Sequence, residues 1–267
     1  NLHAPDIVVL DASVMVEQAD DGSFSSVSGR PHYDEQHIPG ASFADLTGDL
    51  ADPDSPLNYA VPAPEAFAAA MGRLGVGDNS RVVIYDANRS VWAARVWWML
   101  RWIGFDNVAL LDGGLDAWVS GGQPVSNKPV IADAATLTVN LRPELIADRN
   151  EVRAAIGDDS VSLIDALPEA HYKGEFSMYA RPGHIPGASN VFVMSLADES
   201  GRFKPTEEVR TLFNGDLEGR AITYCGGGIA ASANAFVMTR LGYKNVAVYT
   251  ASLQEWAADP ENPMETE

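Results

Sequence analysis

The stretch RWIGFDNVALLDGGLDAW, residues 101–118, returns later in the chain as TRLGYKNVAVYTASLQEW, residues 239–256. The two stretches align without a gap. Their matched positions include a glycine, an aromatic residue, an Asn-Val pair and a final tryptophan. Similarity within one chain at a fixed separation is typical of a duplicated structural unit. These stretches therefore predict two copies of one fold.

Two further pairs of segments support the duplication. His37 and His184 each precede Ile-Pro-Gly-Ala, and Asp11 and Asp165 each follow a short apolar run. The segment between the copies is polar and contains Gly and Pro, which is typical of a linker. The predicted boundaries are residues 1–125 for the first domain, 126–143 for the linker and 144–267 for the second domain.

Each copy alternates short apolar runs with amphipathic helical patterns. Apolar runs that end in Asp suit strands buried in a parallel sheet, and alternation of strand and helix predicts an α/β fold. We expect each domain to hold one parallel sheet flanked by helices. Thr206 is predicted to cap a helix, and Gly104 and Gly242 are predicted to end two others.

The composition limits the classes of function. The chain has 267 residues, of which 46% are hydrophobic, so it can build a packed core, and no apolar run is long enough for a membrane helix. A formal net charge of −19 repels phosphate backbones, which argues against a nucleic-acid partner. A single cysteine offers no internal disulfide and no metal cluster, and the start of the chain shows no secretion signal. We expect a cytoplasmic protein without a metal.

The single cysteine, Cys225, lies in YCGGGIAASANAF, residues 224–236, between a predicted strand and a predicted helix. Sites in parallel α/β folds lie beyond the carboxyl ends of strands. Successive glycines allow the backbone N–H groups to point inward at a helix N-terminus, which attracts an anion. The pattern therefore predicts a nucleophilic thiolate at Cys225.

Three other interpretations of this loop are weaker. A lone cysteine is often a buried structural residue, although three glycines after it at a strand–helix junction make that role less expected. A phosphate-binding loop of the G-x-x-x-x-G-K-[ST] type is absent, and the loop has no lysine. A cysteine phosphatase would need an arginine six residues after the cysteine, where Ala231 stands.

Several motifs together resemble the two-domain rhodaneses, the thiosulfate and 3-mercaptopyruvate sulfurtransferases. They are HIPGA in both halves, AARVWWMLRWIGF and VALLDGGLDAW in the first half, and CGGGIAA with a later EW in the second. The resemblance covers nearly the whole chain and implies two tandem rhodanese-like domains. It further implies that the second domain is catalytic and that the first is a silent copy, with Asp86 at the position equivalent to Cys225.

The resemblance implies a mechanism in which Cys225 accepts a sulfur atom as a persulfide. The sulfur then passes to cyanide, a thiol or a protein acceptor outside the chain, and no cofactor is implied. The substrate would lie against the loop residues Gly226, Gly227, Gly228, Ile229 and Ala230. Because this loop has no cationic side chain, it resembles the 3-mercaptopyruvate type more than the thiosulfate type.

The chain departs from the family pattern at four positions. Gly227 and Ala230 lack the family's serine and threonine hydroxyls, and Leu167 and His171 replace two arginines that help to hold the donor anion. Lys173 and Arg181 are the nearest cations in the sequence, and we expect one of them to take over anion binding. An alternative is a persulfide carrier or interaction module that kept its cysteine but lost donor binding.

Other polar residues are expected to have structural roles. His37 and His184 occur in both copies, including the silent one, which favours a structural function. Asp11 and Asp165 should fix loop backbone through hydrogen bonds. The acidic segment 259–267 lacks apolar spacing and is predicted to be a frayed tail.

Overall fold

The structure is a computed structural model that describes residues 4, 6–18 and 24–266. The chain divides into two compact units. The first consists of Asn1–Arg142 with Glu199–Arg202, and the second of Pro143–Asp198 with Phe203–Glu267.

The first unit holds a four-stranded parallel sheet in the order β4-β1-β5-β6, and β2 and β3 form a separate antiparallel pair. The strands are β1 (Ile7–Asp11), β2 (Val14–Gln18), β3 (Phe24–Ser28), β4 (Ser42–Phe43), β5 (Arg81–Tyr85) and β6 (Val108–Leu110). The helices are α1 (Arg30–Glu35), α2 (Pro64–Arg73), α3 (Val91–Trp102) and α4 (Gly114–Ser120).

The second unit holds a five-stranded parallel sheet in the order β7-β11-β10-β8-β9, so β10 is its central strand. The strands are β7 (Ile146–Ala147), β8 (Val161–Asp165), β9 (Ser189–Asn190), β10 (Arg220–Tyr224) and β11 (Asn245–Tyr249). The helices are α5 (Arg149–Ala155), α6 (Glu169–Tyr172), α7 (Thr206–Arg210), α8 (Ile229–Leu241) and α9 (Ser252–Trp256), and short 3₁₀ helices span Pro143–Leu145 and Val193–Leu196.

The two parallel sheets share one plan. Strands β1, β5 and β6 correspond to β8, β10 and β11 in sequence and in pairing, and β7 is an extra edge strand in the second unit. Strands and helices of the second unit share a core of buried aliphatic and aromatic side chains that includes Leu163, Ile222 and Trp256. Burial of both faces explains why these strands appear in the sequence as continuous apolar runs.

Helix ends follow the predictions in part. Gly242 closes α8 with a left-handed φ of 99°, and Gly104, at φ 93°, lies two residues beyond α3. Thr206 is the first residue of α7 and Pro205 is the cap, so the predicted cap at Thr206 is wrong. Proline at that position already fixes the backbone angle with which the helix begins, and no side-chain cap is formed.

The segment predicted as a linker is hydrogen-bonded to the first unit. The N–H of Ala135 donates to the carbonyl of Gly72, and Thr138 donates to Asp78 through both its N–H and its hydroxyl. These hydrogen bonds hold this polar segment to the first unit although it forms no helix or strand over residues 127–142.

The prediction of a frayed tail at residues 259–267 is wrong for its described part. Asn262 is buried, and Glu265 pairs through its backbone with His184. The segment is held by backbone hydrogen bonds, which is why its lack of apolar spacing was misleading. Glu267 lies outside the described residues.

Among the helices of the described chain, none combines the length and apolar character needed to cross a bilayer.

Candidate active site

Cys225 follows directly after the central strand β10, and the loop Cys225–Gly228 leads into α8. Parallel strands bring the loops at their carboxyl ends to one edge of the sheet, so the cysteine lies where α/β folds place their sites. Gly228 caps α8 with a left-handed φ of 82°, which favours a residue without a Cβ. The Cys225 residue is 3% exposed.

The sulfur of Cys225 accepts a hydrogen bond from a backbone amide. The N–H of Gly228 donates to Sγ at 3.2 Å. This contact folds the loop back over the sulfur at the N-terminus of a 13-residue helix. An amide and a helix N-terminus both favour negative charge, so the site suits a thiolate.

Ser252 holds the backbone of Cys225 from the other side. Its Oγ accepts the Cys225 N–H at 3.0 Å and donates to the carbonyl of Tyr249 at 2.6 Å. The next two residues, Leu253 and Gln254, donate their N–H groups to the carbonyls of Cys225 and Gly226. The start of α9 therefore fixes the first half of the loop.

The sequence did not single out Ser252, but the internal repeat contains the signal. Ser252 aligns with Gly114 in the repeat, and both adopt a left-handed backbone, with φ 52° and 59°. Serine rarely adopts this conformation, and non-glycine residues in it are concentrated at functional sites. The serine in place of a glycine gives the second copy a hydrogen bond to the Cys225 N–H that the glycine cannot make.

Asp86 occupies the equivalent place in the first unit, and its carboxylate fills a ring of amides. Four backbone N–H groups donate to it at 2.7–2.9 Å, those of Asn88, Ser90, Trp92 and Ala93. Burial raises the pKa of Asp86, while these four donors act in the opposite direction. The loop of this fold therefore cradles an anion, and in the first unit that anion is a fixed side chain.

Asp11 and Asp165 fix loop backbone, as predicted. Oδ1 of Asp165 accepts the N–H of Leu167 at 2.7 Å, and Oδ1 of Asp11 accepts the N–H of Ser13 at 2.9 Å. Burial raises the pKa of Asp165 to about 6, although the Leu167 N–H and the nearby Tyr224 hydroxyl lower it in part. Burial also raises the pKa of Asp11.

His37 and His184 have matching structural roles. Nδ1 of each ring lies 2.7 Å from a backbone carbonyl, that of Tyr33 for His37 and that of Tyr172 for His184. Each imidazole also stacks on the ring of the same tyrosine, with centroids 4.1 and 3.6 Å apart. The same contacts in both units confirm the structural interpretation.

The positions that lack the family arginines are filled by an apolar and a buried side chain. Leu167 packs against the core, and His171 is 1% exposed. Burial lowers the pKa of His171, so the ring favours the neutral form. Lys173 pairs with Glu169 at 2.7 Å, four residues earlier along the chain.

Arg181 binds the carboxyl-terminal segment. Its guanidinium donates at 2.6–3.1 Å to four backbone carbonyls, those of Trp256, Ala257, Asp259 and Asn262. All three guanidinium nitrogens take part, so the group is occupied by backbone acceptors. Anion binding by Lys173 or Arg181 stays a prediction, and the contacts of both side chains weigh against it.

Tyr179 lies against the Cys225 loop and was not singled out by the sequence. A Cβ built on Gly226 would overlap the Tyr179 hydroxyl, so that hydroxyl stands where a side chain of residue 226 would be. Gly226 is therefore required for space and not for its backbone angle. The remaining predicted loop residues, Gly227, Gly228, Ile229 and Ala230, lie together in the same loop and the start of α8.

The arrangement suits nucleophilic chemistry at sulfur. A thiolate beside the Gly228 amide and the N-terminus of α8 can attack an electrophilic atom, and the negative charge of the product would stay near both. Among the described residues, no group of three or more His, Cys, Asp or Glu side chains is arranged to hold a metal ion.

Comparisons with known proteins agree with this geometry. The sequence model described as Rhodanese-like domain matches residues 1–121 and 148–259. A probable 3-mercaptopyruvate sulfurtransferase of Pseudomonas aeruginosa is 34% identical over 99% of this chain and 94% of its own length. A thiosulfate/3-mercaptopyruvate sulfurtransferase of Arabidopsis thaliana is 35% identical over 99% of this chain and 83% of its own length.

Solved structures give the same result. The crystal structure of SseA from Escherichia coli, a 3-mercaptopyruvate sulfotransferase with the rhodanese fold, superposes with a TM-score of 0.82 at 32% identity. The match covers 93% of each chain. The duplicated α/β units, the cysteine loop at the end of the central strand and these full-length similarities lead to one conclusion: the chain belongs to the rhodanese-like family.

Proposed function

We propose that the protein is a sulfurtransferase that carries a sulfane sulfur on Cys225. The thiolate attacks the outer sulfur of a donor, the donor's bond to that sulfur breaks, and a Cys225 persulfide forms. The persulfide sulfur then passes to an external acceptor, which can be cyanide, a thiol or a protein. The full-length relatives named as sulfurtransferases support this reaction class.

One observation carries the proposal. The Sγ of Cys225 accepts an amide hydrogen bond at the end of the central strand, at the position where the other copy encloses the Asp86 carboxylate in four amides. A loop that stabilises a carboxylate in one copy suits a thiolate, and then a persulfide anion, in the other.

The proposal includes the donor, the domains and the compartment. We take 3-mercaptopyruvate as the leading donor and thiosulfate as the second, because the loop Cys225–Ala230 has no cationic side chain for a dianion. The second domain, 144–267, is catalytic, the first, 1–125, is silent, and 126–143 links them. A single cysteine fits the reducing cytoplasm and leaves no internal thiol to accept the sulfur.

A persulfide carrier is the second candidate. Three observations favour it. Arg181 is bonded to four backbone carbonyls and Lys173 is paired with Glu169. His171 is buried, so the polar groups nearest to the missing arginines are already engaged or enclosed. A carrier would receive its sulfur from a partner protein instead of from a small donor.

Mass spectrometry of the intact protein after exposure to each donor tests the proposal. We expect a gain of one sulfur atom with 3-mercaptopyruvate, its loss on addition of cyanide with release of thiocyanate, and no gain in Cys225→Ser. Ser232→Ala, which removes a hydroxyl bonded to the Gly228 carbonyl and leaves the thiol in place, is the matched control. Absence of sulfur uptake from both donors, with uptake from a persulfidated protein, would establish the carrier instead.

A further inference from the structure

Removal of sulfur from 3-mercaptopyruvate requires the transfer of a proton. The Cys225 thiolate attacks the thiol sulfur of the donor, an S–S bond forms, and the C–S bond breaks with its electron pair left on carbon as the enolate of pyruvate. The enolate must gain a proton, and the new persulfide, Cys225–S–SH, must lose one to become the stable anion. A group that gives the first proton and takes the second would connect both steps.

The catalytic loop supplies no side chain for this task. Its residues from Gly226 to Ala230 are glycine, isoleucine and alanine, which carry no acidic hydrogen. Three other hydroxyls of the second unit make hydrogen bonds that the structure defines. The hydroxyl of Ser252 donates to Tyr249, that of Ser232 donates to Gly228, and that of Tyr224 accepts the Ile185 N–H and faces Asp165.

Tyr179 brings a hydroxyl to the loop from another segment. The phenol oxygen occupies the space of the missing side chain of Gly226, the residue directly after Cys225. The tyrosine is half-buried, and it packs on the core of the second unit. A phenol can both donate and accept a proton.

Two neighbours fix the position of Tyr179. The Oγ of Ser177 accepts the Tyr179 N–H at 3.1 Å, which shapes the local turn. The buried ring of His171 meets the tyrosine ring edge to face, with centroids 5.2 Å apart. Neither nitrogen of His171 has a hydrogen-bond partner among the described residues, so this imidazole acts as a packed support for the phenol.

We propose that Tyr179 is the proton-relay residue for 3-mercaptopyruvate in this chain. Its hydroxyl protonates the enolate as the C–S bond breaks, and the phenolate then takes the proton of Cys225–S–SH. The net reaction turns the thiolate and 3-mercaptopyruvate into the persulfide anion and pyruvate, with no proton gained or lost. The inference rests on the proposed sulfurtransferase function.

Thiosulfate provides the internal comparison. When the thiolate takes the outer sulfur of thiosulfate, sulfite leaves with the electron pair and no proton moves. Tyr179→Phe should therefore lower kcat with 3-mercaptopyruvate about 100-fold or more, while the rate with thiosulfate stays within about twofold. Tyr243→Phe is the matched control, because Tyr243 precedes the amino end of β11, whereas Cys225 follows the carboxyl end of β10. This variant should leave both rates unchanged.

The outcomes separate the relay from the function on which it rests. Equal losses with both donors would give Tyr179 a purely structural role, and unchanged rates would give it none, so either result overturns the inference. A wild-type protein that gains sulfur from thiosulfate but not from 3-mercaptopyruvate overturns the relay and keeps the sulfurtransferase. Wild-type protein that gains sulfur from neither donor overturns the proposed function itself.

A stability measurement tests the contact without any assay of activity. Gly226→Ala places a methyl group on the Tyr179 hydroxyl and should lower the free energy of unfolding. Tyr179→Ala in the same chain removes the obstacle, so the double variant should regain part of that loss. Strictly additive losses in the double-variant cycle would show that the phenol does not lie on Gly226 and would overturn the inference.

Discussion

Ser252 and Gly114 stand at equivalent positions in the two units, and only the serine supports a hydrogen bond to the catalytic loop. Both have a left-handed backbone, which costs a serine roughly 1–3 kcal/mol and a glycine almost nothing. The serine offsets this cost by binding the buried N–H of Cys225. A residue in a strained conformation thus holds the backbone of Cys225.

Substitutions of Ser252 separate strain from hydrogen bonding. Ser252→Ala keeps the strain and leaves the Cys225 N–H without its acceptor, so the free energy of unfolding should fall by about 1–3 kcal/mol. Ser252→Gly loses the same bond but relieves the strain, so it should be about 1 kcal/mol more stable than the alanine variant. Denaturant titration measures both values. Equal stabilities would mean that Ser252 is not strained.

Both variants should lower sulfur transfer, since both free the backbone of Cys225.

The prediction of Cys225 as the nucleophile needed only local pattern, because a strand, three glycines and a helix are adjacent in the chain. Ser252 and Tyr179 were missed because their contacts with the loop join residues far apart in sequence, 27 positions in the case of Ser252. Only the fold brings these residues together.

At the scale of elements, the strongly apolar strands were the most predictable feature. The runs ending at Asp11 and Asp165 are β1 and β8, and Cys225 follows β10 as expected. The antiparallel pair β2 and β3 was missed, because its strands are mixed in polarity and carry no long apolar run. Thr206 was misassigned because a proline can begin a helix without a side-chain cap.

Asp165, at the end of β8, makes the stability of the second unit depend on pH. Its pKa rises from 3.8 to about 6 on folding, so the folded state binds the proton more tightly. The free energy of unfolding should therefore fall as pH increases from about 4 to about 6, by roughly 3 kcal/mol. Asp165→Asn removes this titration and keeps an acceptor for the Leu167 N–H.

We expect the variant and the wild type to differ little below pH 4 and the variant to be more stable above pH 6. Denaturant titrations at intervals from pH 4 to 8 measure the difference. Asp158→Asn is the control, because Ser160 lowers the pKa of the exposed Asp158 in the folded state. Its effect on the pH dependence of stability should therefore have the opposite sign to that of Asp165→Asn. A difference between Asp165→Asn and wild type that does not change with pH would contradict the pKa shift.

At the scale of the whole molecule, duplication produced two versions of one anion-binding loop. In the first unit the loop holds the Asp86 carboxylate through four amides, and in the second the Cys225 sulfur accepts one amide hydrogen bond. The repeat was evident in the sequence, and so was the equivalence of the two positions. The hydrogen bonds that make Asp86 a replacement for a bound anion became evident only in the structure.

Asp86→Ala should destabilise the first unit without affecting sulfur loading of Cys225. The substitution leaves four N–H groups without their acceptor, three of them in buried hydrogen bonds, which should cost about 3 kcal/mol or more. Hydrogen exchange followed by mass spectrometry should show lost protection over residues 87–93 and unchanged protection over residues 225–231. Unchanged protection over residues 87–93 would show that the carboxylate does not organise the loop.

The presence of one cysteine in 267 residues has a practical consequence. An alkylating reagent small enough to reach this buried residue, which is 3% exposed, will mark Cys225 and no other residue, so no second site will dilute the signal. After maleimide labelling, a thiol reductant would remove the label from the persulfidated molecules, whose adduct is a disulfide, and would leave it on the molecules whose sulfur has already been delivered.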